Sequence, residues 1–313
     1  MKLQKQITNE ELLELTRKAF ENDEVAEFLC GEKGYSVMGN RDIPINIPTD
    51  FGRIVEKGIY ELYLTTNDEV IIKKFRKPIW RRFTKAIREY ELVQDGDKIA
   101  VCISGGKDSM LMAKLFQELK RYSKVNFEVK YLVMDPGYNA ENRQRIIDNA
   151  ALMEIPIRIF DSSIFETTKI AERNPCYLCA RMRRGFLYDR AQEMGCNKIA
   201  LGHHFNDVVE TTVMGMFYGA QLQAMLPKLH SRNFPGMELI RPMYCIHEED
   251  ICAWRDFNAL HFIACACRLT EERDKSGDGI GNSKRAEIKQ LLKTLRETNP
   301  DVEKNVFSAI HAV

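Results

Sequence analysis

No stretch of this sequence approaches the roughly 20 consecutive apolar residues that a membrane helix needs, and no apolar signal segment follows Met1. The expectation is a cytoplasmic protein with no membrane partner. An excess of either charge is also missing: Lys and Arg number 46 against 45 Asp and Glu, for a net charge of +1. A nucleic-acid partner must then be met by a local basic patch and not by the field of the whole chain. There is no Walker A loop, no second C-x-x-C and no H-x-x-x-H. These absences exclude the ordinary P-loop nucleotidases and leave a structural zinc site without the usual second ligand pair. Nine cysteines make an odd count in a chain without a secretion signal, which disfavours a disulfide scaffold and leaves metal binding or thiol chemistry for those at close spacing. Cys30, Cys102, Cys196, Cys245 and Cys252 read as small hydrophobes.

What is present centres on Lys98–Met110. Ile99-Ala100-Val101-Cys102-Ile103 is an apolar run of strand length, and Ser104-Gly105-Gly106-Lys107-Asp108-Ser109 breaks it with adjacent glycines. Met110, Leu111, Ala113, Leu115, Phe116 and Leu119 then recur at helical spacing. A glycine loop therefore joins a buried strand to a helix N-terminus. That geometry suits phosphate, because glycine lets the backbone approach an anion and free N–H groups at the helix start point at it. The hydroxyls of Ser104 and Ser109 and the ammonium of Lys107 add donors.

Residues 1–30 read as one helix capped by Asn9, with Leu12, Leu13, Leu15, Ala19 and Phe20 as its apolar face. Gly31 to Pro48 is turn-rich. Ile59–Leu64 and Glu69–Ile72 look like a hairpin. Residues 1–75 are thus expected to form a small α+β appendage without a chemical motif, ahead of a main domain at 76–313. Between Lys73 and Arg88 lie eight cations and no acid, while Ile79, Phe83, Ile87 and Tyr90 share a helical stripe. Such a helix packs its stripe on the body and offers the other face to phosphate or to solvent. Phe127–Met134, Ile155–Phe160 and Lys198–Leu201 read as further strands, alternating with helices at 141–153 and 183–194. This predicts an α/β fold, a doubly wound parallel sheet with a helical C-terminal tail, with ligands beyond the carboxyl ends of the strands. The loops Ser104–Ser109, Met134–Gly137 and Gly202–Asp207 should converge there.

Two further segments carry chemistry. In Gly202-His203-His204-Phe205-Asn206-Asp207, Gly202 permits a tight exit from a strand, and Asp207 is placed to ligate Mg²⁺ or bond a nucleotide. A histidine pair by itself is more often a cap than a catalyst. Cys176-Tyr177-Leu178-Cys179 is a C-x-x-C followed by Arg181, Arg183 and Arg184, and Cys265-Ala266-Cys267 offers a third thiolate and leaves a fourth open. Two such thiolates can grip a metal or cluster, or form a redox disulfide.

The order S-G-G-x-D-S after a strand resembles the PP-loop of the ATP pyrophosphatases, which cleave ATP to AMP and pyrophosphate. The P-C-x-L-C with its arginines, the G-H-H segment, Met225–Leu229, Ile240-Arg241-Pro242 and a late cysteine follow in the order seen in the tRNA 2-thiocytidine synthetase family, over roughly residues 80–313. The resemblance implies an adenine nucleotide α-hydrolase fold and an ATP- and Mg²⁺-dependent tRNA thiolase. Ser104, Gly105, Gly106, Lys107, Asp108 and Ser109, with Met134, Gly202 and His203, would hold ATP. Lys107, Asp108 and Asp207 would be the catalytic set. Cys176, Cys179 and Cys265 would bind a 4Fe–4S cluster, with Cys267 a close rival for the third place. The implied partners are tRNA and a sulfur donor such as a cysteine desulfurase, and a homodimer is left open. One departure stands out: Asn206-Asp207 replaces the family's usual paired aspartates. Still open are a cysteine persulfide or an amine as nucleophile and, from another class, a non-catalytic RNA- or metal-binding protein.

Overall fold

The computed structural model describes residues 2–8, 35–39, 43–47, 59–65, 70–165, 175–222, 224–258, 260–263 and 284–311. Its body is a six-stranded sheet. Strands β5 (Lys98–Ile103), β6 (Glu128–Asp135), β7 (Ile157–Asp161), β8 (Lys198–Ala200), β9 (Lys228–His230) and β10 (Glu238–Ile240) lie in the order β7-β6-β5-β8-β10-β9. All are parallel except β9, which pairs antiparallel with β10 at the edge. The strand order reverses at β5, with β6 on one side and β8 on the other, so the loop leaving β5 opens into the crevice where doubly wound sheets bind ligands.

The apolar run of β5 is continuous because both faces are covered. Ile99, Val101 and Ile103 face one core with residues of α2 (Lys107–Tyr122), α3 (Ala140–Leu152) and α6 (Glu248–Phe257). Ala100 and Cys102 face a second core with Tyr188 and Ala191 of α4 (Pro175–Glu193). Cys102 is accordingly a buried hydrophobe, its thiol pushed up by burial. The basic segment winds as two π-helical turns, Val70–Lys74 and Arg76–Trp80, into α1 (Arg81–Glu89). Its predicted stripe holds: Ile79 and Phe83 are fully buried, and Ile87 and Tyr90 pack against the same core. Helix α5 (Phe205–Gly219) completes the described fold with two C-terminal helices, α7 (Lys284–Thr298) and α8 (Val302–His311). Ile288 and Leu292 of α7 pack on Phe205, Val209 and Val213 of α5, each contributing about 1.5–3 kcal/mol on full burial. Among the described residues no helix is long and apolar enough to cross a membrane.

Four expectations are corrected. Residues 2–8 are strand β1, not the start of a helix, and pair antiparallel with β4 (Ile59–Thr65); residues 9–30 lie outside the described residues. The stretch read as turns contains β2 (Tyr35–Gly39) and β3 (Ile43–Ile47), paired antiparallel. Strand β4 does not form a hairpin with 69–72, because β1 takes its edge and residues 70–74 coil to bury Ile71 in the main core. Helix α4 begins at Pro175, not Arg183. Proline suits the first helical position, where its missing N–H would have no partner, and the C-x-x-C therefore lies inside the helix.

Candidate active site

The loop after β5 is tied to itself. The N–H of Ser104 donates to Ser109 Oγ at 3.1 Å, and that hydroxyl donates to Gly106 O at 3.0 Å. Gly105 has φ +83° and leaves no room for a side chain, since a Cβ there would lie 2.6 Å from Ile146 Cγ1 and 2.7 Å from Ile263 Cδ1. Gly106 then caps α2, whose first N–H groups lack intrahelical acceptors and favour an anion.

Two more loops meet this one. Gly202 packs against the start of α2 so closely that a Cβ would be 3.2 Å from Asp108 C and Ser109 N. Asp135 fixes the exit from β6: its Oδ1 accepts the N–H groups of Gly137 and Tyr138 at 2.8 and 2.7 Å, and Arg143 donates to Oδ2 at 2.5 Å. The convergence expected of the three loops is therefore observed. Together they bound a cavity of about 380 Å³. Its lining combines Ser104, Asp108 and Ser109 of the first loop, Met134, Gly202 and His203 of the other two, and Ala180, Arg183 and Arg184 of α4.

Each expected residue can now be placed. Asp207 lies on the cavity inside the first turn of α5, where it forms a capping box: His204 N–H donates to its Oδ2 at 2.9 Å and its own N–H donates to His204 Nδ1 at 3.4 Å. His204 is thus a cap, with Nε2 3.5 Å from Asp207 and 3.9 Å from Asp108. His203 lines the cavity, and its Nδ1 has no hydrogen-bond partner. Burial, followed by the nearby Arg241 guanidinium, holds its imidazole down to about 4, so it is neutral at physiological pH. Lys107 is the first residue of α2, beside the cavity-lining Asp108. Its Nζ lies 3.1 Å from Asp108 Oδ1 and 3.2 Å from Glu248 Oε1. Burial alone would lower this ammonium, but the two carboxylates outweigh it and raise it above its usual range.

Among the cysteines, Cys179 is half-buried on α4 directly before Ala180. The Cys176 side chain, Cys265 and Cys267 lie outside the described residues. Ile263, two residues before Cys265 in sequence, touches the loop at Gly105.

Sequence reasoning missed Glu248, Arg285 and Lys289. Arg285 donates to Asp207 Oδ1 at 2.7 Å and Glu210 Oε2 at 2.9 Å, and Lys289 donates to Glu248 Oε2 at 2.6 Å. Burial raises the Glu248 carboxyl, but Lys289 and Lys107 more than offset it and bring it down to about 2. No local pattern marks these residues, which read as an acidic helix start and a solvated helix face. Asn206 is buried, its Oδ1 accepting Glu248 N–H at 2.9 Å and its Nδ2 donating to Glu303 Oε1 at 3.3 Å.

Residues 75–267 match the family described as the PP-loop domain. The chain is 32% identical over 253 residues, 80% of each protein, to the tRNA-cytidine(32) 2-sulfurtransferase of Aeromonas salmonicida. It is 34% identical over 254 residues to that of Aliivibrio fischeri, covering 80% of this chain and 79% of the relative. Among solved structures it resembles the U34-tRNA thiolase NcsA from Methanococcus maripaludis with its 4Fe–4S cluster. That likeness has a TM-score of 0.61 and 20% identity, covers 78% of this chain and 79% of the other, and shows a shared fold.

Proposed function

The chain belongs to the PP-loop family of tRNA-cytidine 2-sulfurtransferases, and from that premise we propose that ATP bound on Ser104–Ser109 activates the C2 oxygen of a tRNA cytidine, which sulfur then replaces. The base oxygen attacks the α-phosphorus and pyrophosphate leaves; sulfide then adds at C2 and AMP departs. The observation that carries this reading is one cavity lined both by the phosphate loop and by the helix that bears the C-x-x-C.

Loop N–H groups, the start of α2 and Lys107 would stabilise charge as pyrophosphate forms. His203, neutral and with a vacant Nδ1, would bond the nucleotide together with Met134 and Gly202. Beside the loop, Asp108 and Asp207 lie on the cavity, each paired with a cation, Lys107 and Arg285 respectively. The phosphates of ATP would bring further negative charge beside these two carboxylates, and Asp108 and Asp207 would hold Mg²⁺ between them and the phosphates.

The donor set suits an iron–sulfur cluster. Cys179 adjoins the cavity wall from α4, and Ile263 brings the approach to Cys265 against the phosphate loop, two residues of chain spanning at most about 7 Å. Cys176, Cys179 and Cys265, or Cys267 in its place, would hold it. Three thiolates leave one iron open, and sulfide is the chemistry supplied there. A cysteine desulfurase is the proposed class of sulfur donor.

For the RNA, Arg183 and Arg184 line the cavity, and Arg81, Lys85 and Arg88 are exposed on α1 opposite buried Phe83 and Ala86. The target must come from a loop or be flipped out, because C2 is unreachable within a duplex. Nucleoside mass spectrometry of tRNA treated with anaerobically purified protein tests the reading. Thiolation in the wild type and its loss with the iron in Cys176→Ala are expected; undiminished thiolation in that variant would remove the cluster from the chemistry.

A further inference from the structure

The matched domain ends at residue 267, yet a side chain beyond it is linked to the phosphate loop through one carboxylate. Lys289 Nζ donates to Glu248 Oε2 at 2.6 Å, and Glu248 Oε1 accepts from Lys107 Nζ at 3.2 Å. The backbone of Glu248 is fixed in turn, its N–H donating to Asn206 Oδ1 at 2.9 Å. We infer that Glu248 is a positioning residue for Lys107, itself held by Asn206 and Lys289; this rests on the reading that Lys107 acts on the phosphates of ATP.

A lysine ammonium is a point charge with three donors on a flexible four-carbon stem. Confining such a side chain costs rotamer entropy, so a lysine that must meet a phosphate in one geometry gains from being confined beforehand. Asp108 and Glu248 do this from different elements. The first is on α2 beside Lys107, the second at the start of α6, and between them they occupy two of the three donors and leave one to direct at a ligand. Lys289 prevents the arrangement from becoming a trap, because a carboxylate shared between two ammonium groups holds each less tightly than it would hold one.

Asn206 accounts for the departure from the paired aspartates. Aspartate there would set a charged oxygen 3.3 Å from Glu303 Oε1, where the Asn206 amide now donates, and like charges at that separation repel strongly. Asparagine still accepts the Glu248 N–H. The second acid of the site is thereby supplied from another element, by Glu248.

The test is a double-mutant cycle on full-length protein, measuring tRNA-dependent release of pyrophosphate from ATP for wild type, Lys107→Met, Glu248→Gln and the double variant. Glu248→Gln should lower kcat on the order of tenfold while the KM for ATP moves less than about threefold. The double variant should be no slower than Lys107→Met, since a positioning residue has nothing to act through once the lysine is gone. If the two losses multiply, or if Glu248→Gln keeps the wild-type kcat, the inference is overturned and the ATP site stands. Wild-type kcat in Lys107→Met would overturn both. Should Glu248→Gln melt early, Glu248→Asp replaces it. That shorter carboxylate should slow the wild type and leave Lys107→Met unchanged, and an equal loss in both backgrounds refutes the role.

Discussion

Alanine at Gly105 separates two costs that the fold imposes on a single residue. Gly105 has φ +83° and Gly96 has φ +81°, so the backbone penalty for an L side chain, about 1–2 kcal/mol, is shared by the two positions. Their surroundings are not. A Cβ on Gly96 meets nothing within 4 Å, whereas on Gly105 it would lie 2.6 Å from Ile146 and 2.7 Å from Ile263. Both isoleucines are buried in the main core, and displacing them adds overpacking of about 1–3 kcal/mol. Gly96→Ala should therefore cost about 1–2 kcal/mol and Gly105→Ala about 2–5 kcal/mol. At about 3 °C per kcal/mol for a domain of this size, the variants should melt roughly 3–9 °C apart when followed by circular dichroism at one scan rate. ATP should still protect Gly96→Ala against heating and should protect Gly105→Ala little, because the displaced loop is the one proposed to hold phosphate. Equal melting points would refute the packing argument, and equal protection would refute the loop's role.

His203 and His247 are both held near 4 by burial. An unfolded chain takes up those protons near pH 6.5 and the fold does not, so stability should fall as pH drops from about 6.5 towards 4. The urea midpoint should decrease between pH 7 and pH 5, and the decrease should shrink in His203→Gln/His247→Gln; an unchanged decrease would refute the assignment. Lys198 is 2% exposed and pairs with Asp97 at 2.7 Å and Glu238 at 3.2 Å. Lys198→Met strands those carboxylates and should cost about 3–5 kcal/mol, with a loss below about 1 kcal/mol in urea titration counting against the pair's burial. Iron per chain after anaerobic purification should fall in Cys265→Ala and persist in Cys267→Ala; the reverse would exchange their roles.

The parallel sheet was legible because burial on both faces forces a distinctive composition. Ile99–Ile103 has neither the alternation of a half-exposed strand nor the period of an amphipathic helix, and glycine is required at 105 where the chain turns onto α2. The N-terminal strands were hidden for an equally physical reason. Leu3 and Ile7 are four residues apart, a spacing that serves one face of a helix and one face of a strand alike. What decides between them is β4, more than fifty residues further on, and no local pattern encodes that pairing. Val70-Ile71-Ile72 shows the converse. Its β-branched residues favour a strand, but burying Ile71 in the main core imposes a coil.

The site divides along the same line. Residues that must approach an anion are confined to glycines, hydroxyls and a helix start in fixed order, so Ser104–Ser109 and Gly202–Asp207 stand out in the sequence as candidates. Residues that position or neutralise those groups are under no such constraint, since any element that passes nearby can supply them. Glu248, Arg285 and Lys289 come from α6 and α7, and in sequence they are ordinary surface charges. Counting acids along the motif therefore gives the wrong total at Asn206. A carboxylate is missing from that position in the chain but not from the space around Lys107, where Glu248 stands 3.2 Å away. The amide at 206 is what lets Glu303 and Glu248 lie on either side of it without repulsion, one accepting its Nδ2 proton and the other donating a backbone N–H to its oxygen.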